Sequence, residues 1–214
     1  MPQVRPVTLE DVSAIRRIAR DSWHAAYDEI LGSEAIEALI DKWYTESALE
    51  ESIQRTARRE TDVFLIGTLE KTAPSGVKTV VEPSEDDRSM SPVGFAQATP
   101  ADSGDDTTRH AETTAELNRI YVDPDAWDNS VGSTLLEGVE RELEESFERL
   151  RLNVLAGNTV GISFYESIGF ERIETKASGL DEIIDDRGSI DDPVEEHVYE
   201  KPLSESASGK APSK

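Results

Sequence analysis

The first sixty residues carry apolar side chains at helical spacing. Thr8 and Asp11 form a capping-box-like start, and apolar residues then recur every three or four positions. A second helical pattern follows the break at Gly32, and a third extends from residue 46 to about residue 59. The apolar positions of the first two patterns are Val12, Ile15, Ile18, Ala19 and Trp23, then Ile36, Leu39, Ile40 and Trp43. This region therefore predicts three amphipathic helices.

Short apolar and β-branched runs predict strands along the rest of the chain. The predicted strands cover residues 62–70, 93–99, 115–122, 149–156, 170–178 and 194–203. Two more helices are predicted among them, one with apolar positions between residues 135 and 150, and a shorter one over residues 159–168 that Gly169 closes. This order predicts a single α/β (α+β) domain over residues 1–203.

Polar segments separate some of these elements. Residues 71–92 and 100–114 are rich in turn-forming and charged residues, so we expect flexible insertions there, the first with a short strand at 77–81. An acidic loop is expected between the last two strands. Residues 204–214 have low complexity and predict a disordered tail.

The charge balance is strongly acidic. Asp and Glu number 45 against 22 Lys and Arg, and the formal net charge is -23. Such a surface repels nucleic acid and anionic membranes, so neither is an expected partner. We interpret the acidity as a solvated coat, and we hypothesise a halophilic adaptation to a high-salt cytoplasm. The chain has no cysteine, no apolar run of membrane-spanning length and no signal-peptide pattern, which predicts a soluble cytoplasmic protein.

Several common signatures are missing from the sequence. The dinucleotide-binding, P-loop and nucleophile-elbow glycine patterns do not occur. His24, His110 and His197 lie far apart in the sequence, and ordinary surface histidines explain them better than a metal site built with carboxylates. We therefore expect no metal.

One strand-to-helix turn is a candidate anion site. In "YVDPDAWDNSVGSTLLEGVE", residues 121–140, a strand end passes through a polar turn into an amphipathic helix. The first N–H groups of a helix lack intrahelical partners and attract anions. The alternative is a plain connection in which Ser130 caps the helix.

Two segments together resemble the cofactor-binding core of the GNAT superfamily of acetyl-CoA-dependent N-acetyltransferases. They are "AELNRIYVDPDAWDNSVGSTLLEGV" and "NVLAGNTVGISFYESIGFER", and the N-terminal "VRPVTLEDVSAI" and "SWHAAY" extend the likeness. The resemblance implies a GNAT-like mixed, mainly antiparallel sheet flanked by helices. It also implies acetyl transfer from acetyl-CoA to a primary amine by direct attack, on a small-molecule or peptide acceptor. Homodimers are common in that family and are allowed here.

The resemblance also assigns cofactor-binding residues. The turn would bind the CoA pyrophosphate, backbone N–H groups of the preceding strand would orient the acetyl group, and Asn158 would hold pantetheine or orient the helix after it. The residues concerned are Tyr121, Val122, Asn129, Ser130, Val131, Gly132, Ser133, Thr134, Asn158 and Tyr165. The turn departs from the family pattern, because Trp127 replaces a basic or amide residue, Ser130 replaces a glycine and Asp128 adds a carboxylate.

Tyr165 and Glu116 are the catalytic candidates that the resemblance implies. Tyr165 would protonate the departing CoA thiolate; the alternative is a tyrosine that only packs beside Phe164 and Phe170. Glu116 would accept a proton from the substrate ammonium, directly or through water, and the alternative is a solvated surface glutamate. Strand alternation places Glu116, Asn118, Ile120 and Val122 on one face and Leu117, Arg119 and Tyr121 on the other.

The first helix supplies candidates for acceptor binding. Tyr27 and Asp28 are expected to contact the amine, whereas Trp23 lies on the apolar stripe and suits the core equally well. A second functional hypothesis is a catalytically silent GNAT-derived module that binds CoA or a partner. The departures at Trp127, Asp128 and Ser130 favour this second hypothesis.

Overall fold

The computed structural model describes residues 1–70, 90–101, 113–180 and 194–203. The strands are β1 (Gln3–Pro6), β2 (Val63–Glu70), β3 (Met90–Pro100), β4 (Thr114–Val122), β5 (Arg149–Leu155), β6 (Glu171–Ala177) and β7 (Glu195–Pro202). The α-helices are α1 (Val12–Leu31), α2 (Ser33–Trp43), α3 (Glu46–Thr56), α4 (Val131–Leu143) and α5 (Thr159–Ser167). Short 3-10 helices cover Leu9–Asp11 and Pro124–Ala126.

The seven strands form one sheet in the order β1-β2-β3-β4-β5-β7-β6. Every neighbouring pair is antiparallel except β4 and β5, which run parallel. Their parallel register joins Thr114 to Arg149 and ends where Glu116 meets Arg151. Beyond that point the two strands separate, and a gap opens in the middle of the sheet. The mixed, mainly antiparallel sheet flanked by helices is confirmed.

Two apolar cores hold helices on opposite faces of the sheet. Helices α1, α2 and α3 pack on one face, where Ile18, Ile36 and Tyr121 belong to the same apolar cluster. Helix α4 packs on the other face, where Leu135 joins Leu117 and residues of β5. Since each of these four helices buries its apolar stripe, their amphipathic patterns in the sequence are explained by packing against the two faces.

The start of α1 follows the predicted capping pattern. The Asp11 carboxylate accepts hydrogen bonds from the backbone N–H of Thr8 at 2.9 Å and from its hydroxyl at 3.1 Å. Arg5 pairs with the same carboxylate at 2.8 Å. The hydrogen bonds from Arg5 and Thr8 outweigh the burial of this carboxyl and lower its pKa. The capping box therefore joins β1 to the first helix.

The predicted helix over residues 135–150 is too long. Helix α4 ends at Leu143, Phe147 lies in the following turn, and Leu150 belongs to β5. All three side chains are buried in the same core, which made their spacing look like one helical face. The first predicted insertion is also too long, because Met90–Pro92 already belongs to strand β3.

The predicted alternation of β4 is wrong because the strand contains a bulge. Gln97 faces Arg119 and Ala98 faces Leu117, so Asn118 has no register partner in β3, although its side-chain oxygen accepts a hydrogen bond from the Thr99 hydroxyl at 3.1 Å. Leu117 and Ile120 consequently both pack in the α4 core, while Tyr121 packs in the α1 core. Glu116 therefore shares a face with Arg119 and Tyr121, and not with Ile120.

Some predictions lie outside the described residues. They are the strand at 77–81, the rest of the insertion at 71–89, residues 102–112, the acidic loop over 181–193, and the tail at 204–214. Among the helices that the structure does describe, none has the length and apolarity needed to cross a membrane.

Candidate active site

A cavity of about 490 Å³ occupies the gap where β4 and β5 separate. Its walls come from β4, β5, the middle of α1, the N-terminal turn of α4 and helix α5. Three helices thus meet at the open part of the sheet, and α1 and α4, which pack on opposite faces, both reach the same space. The site exists because a parallel strand pair stops pairing after three residues.

The end of β4 is held firmly at the cavity wall. The Val122 carbonyl accepts hydrogen bonds from the Ser22 hydroxyl at 2.8 Å and from the Trp127 indole N–H at 3.0 Å. The next residue, Asp123, donates its N–H to Val93 of β3 at 2.8 Å. Successive backbone groups of a strand point to opposite sides, so the N–H of Val122 points away from β3, toward the cavity.

The turn before α4 contains two left-handed residues. Asp128 has φ 63° and Ser130 has φ 60°. Glycine adopts this conformation without strain, which accounts for the glycine that the resembled motif has in place of Ser130. The Asn129 amide stabilises the turn by donating to the carbonyls of Ala126 at 3.2 Å and Trp127 at 3.0 Å.

The first N–H groups of α4 are available for a ligand. Ser130 stands at the N-cap position, as the alternative of a plain connection expects, but its side chain accepts no hydrogen bond from the helix. The first bond into the helix is from the N–H of Thr134 to the Ser130 carbonyl, at 3.0 Å. Within the described ranges, the N–H groups of residues 131–133 have no acceptor. They line up at the positive end of a 13-residue helix.

Gly132 brings α4 close to α5. A Cβ atom added at this glycine would lie 3.3 Å from Cζ of Phe164. A larger residue would therefore push the phenylalanine ring and narrow the space above the free N–H groups. The turn consequently fits a ligand that approaches the helix backbone closely, as a phosphate oxygen does.

Asn158 ties helix α5 to helix α1. Its side-chain oxygen accepts a hydrogen bond from the N–H of Gly161 at 2.8 Å, which caps α5. Its amide nitrogen donates to the phenol oxygen of Tyr27 at 2.9 Å. Burial raises the Tyr27 pKa to about 12, so this phenol is neutral at physiological pH.

Tyr165 lines the cavity from α5 and also packs as an aromatic residue. Its ring centroid lies 5.4 Å from Phe164 and 5.8 Å from Phe170. Burial, and to a smaller extent the nearby Tyr27, raise the pKa of the Tyr165 phenol above its ordinary value. The hydroxyl therefore carries its proton throughout the physiological pH range. A role as proton donor and a role in aromatic packing are thus compatible for this residue.

Several predicted site residues meet at the cavity, and four do not line it. Tyr27, Tyr121, Val122, Ser130, Val131, Gly132, Ser133, Asn158 and Tyr165 belong to its lining. Asn129 and Thr134 bond within the turn, and Glu116 lies where β4 still pairs with β5.

Asp28 is the fourth residue outside the lining. Its carboxylate accepts from the Ser33 hydroxyl at 2.8 Å and contacts Nδ1 of His24 at 3.0 Å. Neighbouring residues of a helix point about 100° apart, so Tyr27 facing inward turns Asp28 outward.

Arg119 lines the cavity although the sequence did not single it out. The expected alternation grouped it with Leu117, which is a core residue, and no motif drew attention to it. Its positive charge, beside the apolar Ile120 and Tyr121 at the end of the strand, was the available signal. Ser22, an ordinary polar position on α1, was missed for lack of any comparable signal.

Known proteins resemble this chain in sequence and in fold. The Acetyltransferase (GNAT) family matches residues 34–170. A spermidine N(1)-acetyltransferase of Thermoplasma acidophilum is 27% identical over 177 residues, which cover 82% of this chain and 92% of that protein.

Solved structures agree with this assignment of the fold. The PaiA N-acetyltransferase of Thermoplasma acidophilum, in complex with coenzyme A, has a TM-score of 0.68 at 24% identity, covering 94% of this chain and 99% of that one. A ribosomal-protein-alanine N-acetyltransferase from Brucella melitensis has a TM-score of 0.60 at 19% identity, with 94% and 99% covered. With its splayed parallel strands, its open helix N-terminus and a family match over 137 residues, the chain belongs to the GNAT family of acetyltransferases.

Proposed function

We propose that the protein transfers the acetyl group of acetyl-CoA to a primary amine by direct attack, without a covalent enzyme intermediate. The observation that carries the proposal is the cavity between β4 and β5, which brings the open N-terminus of α4 and the Tyr165 phenol to one space. The curated relative is named for acetylating spermidine, and a similar fold was solved with coenzyme A, which supports this chemistry.

The turn before α4 fits the pyrophosphate of CoA as substrate. Backbone N–H groups of residues 131–133 would bind its oxygens, and Gly132 leaves room for their close approach. Asp128 opposes this binding with a carboxylate at the edge of the cavity. The Ser130 hydroxyl caps nothing in the helix, so it is free to donate to a phosphate oxygen.

The chemistry assigns distinct tasks to residues of the cavity wall. The amine nitrogen forms a bond to the acetyl carbon, and the bond from that carbon to the CoA sulfur breaks. The Val122 N–H points to this side of β4 and would stabilise the carbonyl oxygen as it gains charge. The Tyr165 phenol, kept protonated by burial, would give its proton to the departing sulfur.

The proton that leaves the ammonium needs an acceptor. Glu116 remains the candidate, but it lies at the closed end of the gap and outside the cavity lining. Its side chain is on the same face as Tyr121 and Arg119, which is the α1 face. We therefore propose that Glu116 acts through water, since its side chain does not line the cavity.

The alternative is a silent module that binds CoA without turnover, and Asp128 at the edge of the turn is the observation that favours it. Two measurements separate these functions. CoA binding is measured by calorimetry, and thiol release from acetyl-CoA is then followed over a panel of primary amines that includes spermidine. The proposal predicts saturable binding and turnover of at least one amine. Binding without turnover supports the silent module, and absence of binding contradicts both.

A further inference from the structure

Arg119 is the one cationic residue among the described residues that line the cavity. Its guanidinium carbon lies 5.0 Å from the centre of the Tyr44 ring, which is buried in the α1 core. This cation–π contact is favourable and holds the guanidinium near the Tyr44 ring. Arg119 therefore presents a fixed positive charge on the α1 side of the cavity.

The Arg119 guanidinium lacks an anionic partner within the described part of the chain. Its Nη1 atom is buried and makes no hydrogen bond. Other arginines do form ion pairs with carboxylates, namely Arg5, Arg16, Arg17, Arg20, Arg55, Arg149 and Arg151. The remaining described arginines, Arg58, Arg59, Arg141 and Arg172, are exposed at the surface, so among the described residues an unpaired guanidinium in a cavity is an exception. A buried charged donor without an acceptor is costly, which favours a ligand that supplies the acceptor.

The position of Arg119 separates it from the pyrophosphate turn. It lies three residues before Val122, which corresponds to about 10 Å along a strand. It also shares the α1 face with Tyr121, whereas the open N–H groups of residues 131–133 belong to α4 on the other face. The group that pairs with Arg119 is thus not the anion bound at the turn.

We propose that Arg119 binds a carboxylate of the acceptor, so that the acceptor class is a small primary amine that also carries a carboxylate. This inference rests on the proposed acetyl transfer and narrows its substrate. The planar guanidinium fork matches a carboxylate and holds it in one orientation. A polyamine would instead bring further positive charge to the same wall, where it is repelled. An amino acid held in this way has its carboxylate on the α1 side of the cavity. Its amine nitrogen is then free to reach the thioester.

The test uses pairs of amines that differ only in a carboxylate. Lysine is compared with 1,5-diaminopentane, and ornithine with 1,4-diaminobutane, by thiol release from acetyl-CoA. One charge-assisted bidentate contact corresponds to about a 10- to 100-fold effect, so kcat/KM for the amino acid is expected to exceed that for the diamine by at least about tenfold. Equal or better use of the diamines, or a marked preference for spermidine, overturns the inference.

Variants of Arg119 show whether this residue causes the preference. Arg119→Gln is expected to bring the ratio of kcat/KM values within about threefold of unity, and Arg119→Lys to retain an intermediate preference because it keeps the charge without the fork. Arg141→Gln, an exposed arginine of α4, is the control and leaves the ratio unchanged. Arg119→Lys also keeps the test valid if the glutamine variant does not fold.

The outcomes distinguish this inference from the proposed function. Turnover of both members of a pair with no preference contradicts only the role of Arg119. An equal loss of activity toward both members in Arg119→Gln also contradicts it, since it indicates a structural or acetyl-orienting role. CoA binding without turnover of any amine contradicts the proposed acetyl transfer, and the inference fails with it.

Discussion

The side-chain amide of Asn158 donates a hydrogen bond to the phenol oxygen of Tyr27 across 2.9 Å, between residues 131 positions apart in the sequence. Because Asn158 also caps α5, the position of that helix depends on a contact with α1. Tyr165 lies seven residues after Asn158, about two turns further along the same side of α5, so its position relative to α1 depends in part on this asparagine. The acceptor side and the cofactor side of the cavity are coupled through this residue.

Replacing Asn158 by alanine removes both the cap and the link. We expect a loss of about 1 to 3 kcal/mol in the free energy of unfolding, whereas Tyr27→Phe loses only the link and about 1 kcal/mol. Urea denaturation measures both. Thr45→Ala, which removes the cap of α3 away from the cavity, is the control, and it should leave the Kd for CoA unchanged. Equal effects of Asn158→Ala and Tyr27→Phe would show that the cap contributes nothing.

Ser130→Gly is expected to stabilise the protein. Ser130 has φ 60°, a conformation that costs a residue with a side chain about 1 kcal/mol relative to glycine. The midpoint of urea denaturation should rise accordingly. Ser133→Gly is the matched control, since Ser133 lies within α4 and glycine lowers helix stability there by up to about 1 kcal/mol. A destabilised Ser130→Gly variant would contradict the expectation.

Asp128 is expected to weaken CoA binding. Neutralising it in Asp128→Asn should lower the Kd for CoA severalfold at low salt, and the gain should shrink as salt screens the charges. Calorimetric titrations at two ionic strengths measure this difference. Asp125→Asn makes the same change of charge three residues away, outside the cavity lining, and should have a smaller effect. If the two variants behave alike, the effect comes from total charge.

Tyr165→Phe tests the proposed proton donor. The ring keeps its packing against Phe164 and Phe170, so stability should change little, while kcat should fall at least about tenfold. Steady-state thiol release gives kcat, and KM for acetyl-CoA is expected to stay within about twofold. Tyr199→Phe is the control, because its phenol donates to Glu166 at 2.8 Å and does not line the cavity. An unchanged kcat in Tyr165→Phe would remove the residue from the acid role.

His24 makes stability depend on pH. Its ring contacts Glu37 and Asp28 at 3.0 Å each, and the hydrogen bond with Glu37, followed by that with Asp28, raises the His24 pKa above 6.5. A raised pKa stabilises the fold at pH values where the imidazole is protonated in both the folded and the unfolded protein. This stability is lost as pH rises through the folded-state pKa. Urea denaturation between about pH 6 and 8 should show the decline.

The variant His24→Asn is expected to flatten this pH dependence. His197→Asn serves as its control, since His197 belongs to strand β7, where the Thr175 hydroxyl contacts its Nδ1 at 2.9 Å. That second variant should keep the decline. If both variants decline as steeply as the parent protein, another group causes the pH dependence.

Much of the fold follows from local patterns in the sequence. The helix stripes of α1 to α3 and the order of β2 to β7 reflect burial, which residue type and spacing report directly. The short first strand, β1 (Gln3–Pro6), was not among the strands predicted from the apolar runs. The recognisable segments around residues 115–139 and 153–172 contain Tyr165, Asn158 and Gly132, which line one cavity in the structure, while their roles there stay a prediction. These residues lie close to the turn and helix that carry them, so short-range sequence was sufficient.

The misplaced residues depend on contacts with distant parts of the chain. The bulge at Asn118 exists only in register with β3, and the exclusion of Asp28 follows from the direction that Tyr27 takes toward Asn158. Leu150 fits the helical spacing of the apolar residues in α4, yet it belongs to strand β5 and packs in the same core from there. The left-handed turn residues Asp128 and Ser130 gave no signal, because neither is glycine.

Asn118 is the one residue of the bulge without a register partner in β3, and it makes the cavity depend on the number of residues in β4 as well as on their identity. Losing one residue there would restore regular alternation and exchange the two sets of side chains, so that the tyrosine and arginine of one wall would trade places with the aliphatic residues of the other. Single substitutions in this strand thus change one side chain of the site at a time. Deleting or inserting one residue would instead reverse which face each side chain points to, and would disrupt both walls of the cavity at once.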